Sequence, residues 1–141
     1  MRTHHALRRE LDTELAAEHE LTVSEFEVLL LLSRADQRSM RRIDLANEVR
    51  LSPSGITRML DRLGANGFVD KRACEADARV SYAVLTDEGL ERFREVIPGH
   101  YAAIERLLAS RLSDQELDQL AELLDRLAGA DGEPCLPGDS A

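Results

Sequence analysis

Tryptophan is absent and aromatic residues make up only 4% of the 141-residue chain. That excludes a platform of stacked rings for single-stranded nucleic acid and leaves the core to Leu, Val, Ile and Ala. Cysteine is nearly absent too, with Cys74 and Cys135 set 61 residues apart. Without a CxxC pair they indicate neither a disulfide framework nor a zinc ribbon. No run approaches the roughly 18 apolar residues of a spanning helix, and the opening "MRTHHALRRELDTEL" carries charges where a secretory leader needs its apolar segment. The expectation is a cytoplasmic protein with no membrane partner. No nucleophile with base and orienter, no phosphate-cradling glycine loop and no metal spacing assembles from these residues; His4, His5 and His100 build none. Catalytic residues, metal ligands and cofactors are therefore all assigned as none.

What is present is charge, unevenly spread. The formal net charge is −9. Residues 34–79 nevertheless hold ten basic residues against seven acidic ones, an excess of three, while the flanks carry 8 basic and 20 acidic. Attraction to phosphate acts locally, because salt screens exposed charges beyond about 10 Å at 0.1 M. A basic middle between acidic flanks suits a nucleic-acid reader whose ends face away from the polyanion.

The length predicts one domain. Leu7, Leu11 and Leu15 recur without Gly or Pro and predict a first helix over 3–19. "TVSEFEVLLLLSRA" opens with two overlapping capping boxes, Thr22 with Glu25 and Ser24 with Glu27, and its run Val28 to Leu32 is apolar all round, predicting a buried second helix. "IDLANEVR" predicts a short third helix after a polar turn. In "LSPSGITRMLDRLGANGF", Ser52 is a natural N-cap, Pro53 suits the first helical position and Gly67 marks a stop. Ile56, Met59, Leu60 and Leu63 share the inward face, leaving Ser54, Thr57, Arg58, Asp61 and Arg62 outside.

The period then changes. "FVDKR" and "VSYAVLT", joined by "ACEADA", predict a two-stranded hairpin in which Val80, Tyr82 and Val84 alternate against Ser81 and Ala83; Glu75, Asp77 and Arg79 sit at its tip. Thr86 caps a long helix over about 87–110, kinked at Pro98-Gly99. Ser113 and Glu116 box a last helix lined by Leu117, Leu120, Leu124 and Leu127. The tail 129–141 lacks periodicity and is expected to be disordered.

Helix, short helix, turn, helix and hairpin is the order of a winged helix-turn-helix, which sets the start of its second helix in the DNA major groove. Ser54 and Thr57 are short enough to bring that end close to phosphates and base edges, Gly55 removes bulk, and Arg58 can fork onto guanine O6 and N7. Ser52 alone reads as a structural cap, Arg58 and Arg62 alone as a solvated face, and Arg38, Arg41 and Arg42 as surface arginines within reach of phosphates.

"LSPSGITRMLDRLGANGFVDKR", followed by "DARVSYAVLTDEG", resembles the recognition helix and wing of the MarR family of bacterial transcriptional regulators, and "LTVSEFEVLLLL" resembles the helix preceding them. The resemblance runs from about Leu21 to Gly89. It implies a mainly α fold with a small β-wing: an N-terminal dimerisation helix (1–20), a winged helix-turn-helix domain (21–89) and C-terminal dimerisation helices (90–128). It further implies a homodimer on a pseudo-palindromic site in double-stranded DNA, acting as a repressor released by a small, often aromatic and anionic, effector. Ser52, Ser54, Gly55, Thr57, Arg58, Arg62 and Arg72 are the expected DNA contacts, with Arg79 in the minor groove and Asp77 shaping the wing tip. His19, at the junction of the first two helices, is the candidate effector contact. Two alternatives stand beside this reading: redox control through Cys74, beside Lys71 and Arg72, and a winged helix that binds a protein instead of DNA. Some members of that family sense oxidants through a cysteine in the N-terminal helices, where this chain has none.

Overall fold

The structure is a computed structural model that describes residues 2–74, 77 and 79–128. The expected disordered tail, with Cys135, and Glu75 of the hairpin tip lie outside the described residues. In chain order come α1 (Arg2–His19), α2 (Val23–Arg34), a 3₁₀ turn (Asp36–Arg38), β1 (Ser39–Arg41), α3 (Arg42–Glu48), α4 (Pro53–Ala65), β2 (Val69–Ala73), β3 (Ser81–Leu85), α5 (Asp87–Ala109) and α6 (Asp114–Ala128). Contacts divide the chain into two compact units, residues 1–103 and 104–141.

In the first unit, α2 forms the central layer because its apolar residues leave no solvent face: Val28, Leu29 and Leu32 are fully buried and Leu30 and Leu31 pack against the same cluster. Leu15 of α1, Leu45 of α3, Ile56, Leu60 and Leu63 of α4 and Phe93 and Val96 of α5 close around it. Thr22 starts α2 through a capping box, its hydroxyl accepting the Glu25 N–H at 3.2 Å while the Glu25 carboxylate accepts the Thr22 N–H at 2.8 Å. The second expected box does not form. Ser24 already lies inside the helix, where its backbone cannot act as a cap, and it accepts a hydrogen bond from Arg8, which also pairs with Glu27 at 3.2 Å.

Two further expectations are corrected. The polar turn between α2 and α3 contains β1, which pairs antiparallel with β3 and completes a three-stranded sheet of order β1-β3-β2. On β3 the buried residues are Ala83 and Leu85, with Tyr82 and Val84 only partly covered. Leu85 faces Val69 across the strands and both sink into the core, which sets the phase of the pleat. Thr86 caps α5 as expected, its hydroxyl accepting the Gly89 N–H at 2.9 Å. Pro98 does not stop α5, which continues from Asp87 to Ala109 with the proline exposed.

In the second unit a capping box joins Ser113 to Glu116, and the Ser113 backbone N–H holds the Glu116 carboxyl below its ordinary value. The leucine face of α6 is open: Leu123 and Leu124 are more than half exposed and Leu127 is 83% exposed.

Candidate nucleic-acid interface

The exposed side of α4 is built as its sequence dictates. Ser52 accepts the Gly55 N–H at 3.1 Å, Pro53 follows it, and Ile56, Leu60 and Leu63 anchor the helix in the hydrophobic core, so Ser54 and Arg58 face outward. Thr57 is held on both sides: its hydroxyl donates to the Pro53 carbonyl at 2.8 Å and accepts from the Arg42 guanidinium at 3.0 Å. Arg58 is exposed and has no hydrogen bond or ion pair among the described residues. Gly55 approaches Ser52 so closely that an added Cβ would lie 3.1 Å from the Ser52 hydroxyl.

The wing stands next to this helix. Asp77 folds its carboxylate onto the Arg79 N–H at 2.9 Å and its carbonyl onto the Val80 N–H at 3.0 Å, leaving the Arg79 side chain exposed at the tip. Arg41, Arg42, Ile43, Arg79, Val80 and Ser81 line a cavity of about 150 Å³ beside its tip. That cavity brings β1, the start of α3 and the wing together, and the Arg42–Thr57 bond extends the same surface onto α4. Arg72 is exposed on β2. Lys71 is engaged by Asp61 of α4, so its ammonium is directed to that carboxylate and not to Cys74.

Arg62 differs from the other expected contacts. Its Nε and Nη2 both meet Oε1 of Glu25, a carboxylate 1% exposed within α2. His19 sits apart from all of these, lining a cavity of about 330 Å³ with Glu20, Leu21, Asn66, Phe68, Glu88 and Arg92. Its Nε2 is buried and makes no hydrogen bond, with the Glu18 carboxylate 3.8 Å away; Nδ1 of His100 is likewise buried without a hydrogen bond, and the His100 ring lies 4.3 Å from that of Phe26. Burial holds His100 below the ordinary histidine value; His19 adds to this, and Glu14 and Glu27 oppose it. A larger cavity, about 720 Å³, opens between α1 and the α3–α4 turn, lined by His4, His5, Arg8 and Arg50 among others.

The MarR family's sequence profile matches residues 21–81. AbsC, a MarR family transcriptional regulator from Streptomyces coelicolor, superposes with a TM-score of 0.74 at 33% identity over 90% of this chain and 88% of its own. The chain belongs to the MarR family. A second MarR family regulator from Streptomyces coelicolor, Sco3205, solved in complex with DNA, superposes with a TM-score of 0.77 at 28% identity, covering 90% of this chain and 79% of that one. The transcriptional repressor YetL of Bacillus subtilis is 32% identical over 104 residues, which are 74% of this chain and 62% of YetL. The match thus spans less than two thirds of that relative. MarR family membership makes the chain a transcriptional regulator and not an enzyme. Among the described residues no helix is long and apolar enough to cross a membrane and no cluster could hold a metal ion.

Sequence reasoning missed two residues that support this MarR surface, one buried beneath it and one on it. Glu25 was read only as half of a capping box, although a charged residue flanked by Val23, Phe26 and Val28 is itself a sign of a buried partner. Arg42 was read as a surface arginine, since no local pattern predicts a bond to Thr57, fifteen residues away.

Proposed function

We propose that this MarR family chain regulates transcription by binding a pseudo-palindromic site in double-stranded DNA as a homodimer, and that it acts as a repressor. In each subunit the start of α4 enters the major groove. Ser54 and Thr57 approach backbone and base edges, Arg58 forks onto a guanine, and Arg79 reaches from the wing into the adjacent minor groove. Ser52 and Gly55 shape the helix start, Arg72 meets phosphate, and Asp77 holds the wing tip.

One observation carries the reading. Arg41, Arg42 and Arg79 share a cavity, and Arg42 ties it to Thr57, so a continuous basic surface joins wing and recognition helix in a protein whose net charge is −9. The open leucine face of α6 supports pairing of two copies, because exposed apolar residues at helical spacing gain by burial at about 25 cal/mol per Å². The cavities beside His19 and beside His4 and His5 suit a small effector, which acts by binding one arrangement of the dimer better than the other.

Selection from random duplex DNA tests the proposal. The expected result is an inverted repeat with half-sites about one helical turn apart, bound by a species sedimenting as a dimer. A stable monomer at micromolar concentration, or dimeric protein enriching no site, contradicts it and favours a protein partner.

A further inference from the structure

Arg58 and Arg62 lie one turn apart on the same face of α4, so sequence treats them as equivalent. The structure does not. Arg58 is unpartnered among the described residues, whereas Arg62 places Nε and Nη2 on one oxygen of Glu25. The other oxygen of Glu25 is occupied by the N–H and hydroxyl of Thr22, at 2.8 and 3.0 Å, and the adjoining Val23 N–H donates to Asp12 of α1 at 2.7 Å. The Glu25 carboxylate thus has two duties, capping α2 and holding the far end of α4, while Asp12 ties the start of α2 to α1.

From this network we infer that Arg62 and Glu25 are positioning residues that set the tilt of the recognition helix, and that Arg62 does not itself contact DNA. The inference rests on the DNA-reading proposal above. Apolar contacts of Ile56, Leu60 and Leu63 fix the depth of α4 on the core but have little directionality, while a two-pronged charged hydrogen bond is directional. Ser54 lies eight residues before Arg62, a lever of about 12 Å at 1.5 Å per residue. A tilt of about 5° at the anchored end therefore moves the groove-facing end by about 1 Å, beyond the roughly 0.5 Å tolerance of a well-held site. A buried carboxylate left without its cation is strongly unfavourable, so the pair resists that tilt.

The test measures affinity for the selected site and for unrelated duplex across a salt series, for wild type and for Glu25→Gln, Arg62→Met, Arg62→Lys and the Glu25→Gln/Arg62→Met double variant. Gln at position 25 can still serve the capping box. As positioning residues, Glu25→Gln and Arg62→Met each lose about tenfold in specific affinity and lower the specific-to-nonspecific ratio, with the salt slope unchanged. Arg62→Lys, which keeps the charge but loses the fork, behaves as Arg62→Met. The double variant is no worse than either single one, and it retains a valid comparison if Arg62→Met alone fails to fold. A salt slope shallower by about 0.9 per subunit in Arg62→Met, with Arg62→Lys near wild type, reassigns Arg62 to phosphate and overturns the inference. Wild-type protein that enriches no site overturns the DNA reading and this inference together.

Discussion

Gly89 stands where α5 meets the turn that leaves α4, and its single hydrogen is a geometric necessity. A Cβ at this position would lie 2.1 Å from the Phe68 carbonyl oxygen, 2.9 Å from the Phe68 carbonyl carbon and 2.8 Å from Leu85 Cδ1. Two of those three atoms are backbone, so no rotamer change relieves the clash. The surroundings cannot yield cheaply either, because the Phe68 carbonyl accepts the Thr86 N–H at 3.1 Å and the Thr86 hydroxyl donates to the Gly67 carbonyl at 2.7 Å. Gly89→Ala must part α5 from the base of the wing or break these bonds. Overpacking a core typically costs about 1 to 3 kcal/mol, and a backbone clash belongs at the upper end, about 3 kcal/mol. For a chain of this size that corresponds to a fall in melting temperature of roughly 10 °C. Thermal and urea unfolding of both proteins at equal concentration measure it, since pairing of subunits makes the midpoint concentration-dependent. A Gly89→Ala protein within about 0.5 kcal/mol of wild type would refute the reasoning.

Arg58→Ala should lose about 1 to 3 kcal/mol per half-site and relax preference at one base pair, read by competition among single-base variants of the selected site; uniform weakening on every sequence makes Arg58 a phosphate contact instead. Arg79→Ala should weaken binding more on A-T-rich than on G-C-rich flanks, and equal losses defeat the minor-groove assignment. Leu124→Asp should place a charge on the open face of α6 and yield a monomer by sedimentation at micromolar concentration; an intact dimer removes that face from the interface. Since burial lowers the His100 pKa in the folded chain, the unfolded chain binds more protons, so the contribution of His100 is complete above about pH 6.5 and falls as pH drops below it. His100→Gln should flatten urea stability between about pH 7.5 and 5.5, and an unaltered slope rules His100 out as its source.

The elements with strong local signals were legible in sequence. Ser52-Pro53 announces the start of α4, Thr22 with Glu25 that of α2, and the period-two run before Thr86 announces the wing. What escaped depends on partners distant along the chain. β1 is three residues with no period, and it becomes a strand only because Ser39 meets Val84. The pleat phase of β3 follows from Leu85 opposite Val69, which alternation alone leaves open. Ser24 and Glu27 match a capping box in spacing, yet the same residues serve Arg8 of α1 once α2 starts two residues earlier. The same limit governs the site. Composition and helical spacing put Ser54, Thr57, Arg58 and Arg62 on one face, and only three-dimensional packing separates the unpartnered Arg58 from Arg62, tied to Glu25 across 37 residues.

The central claim, that a local basic surface in an acidic chain reads DNA, is tested most directly by the salt dependence of affinity for the selected duplex. The account predicts a linear fall of log affinity against log salt, steeper by about 0.9 for each phosphate neutralised and amounting to several units for the dimer. A slope near zero, with the protein dimeric and folded, would contradict it.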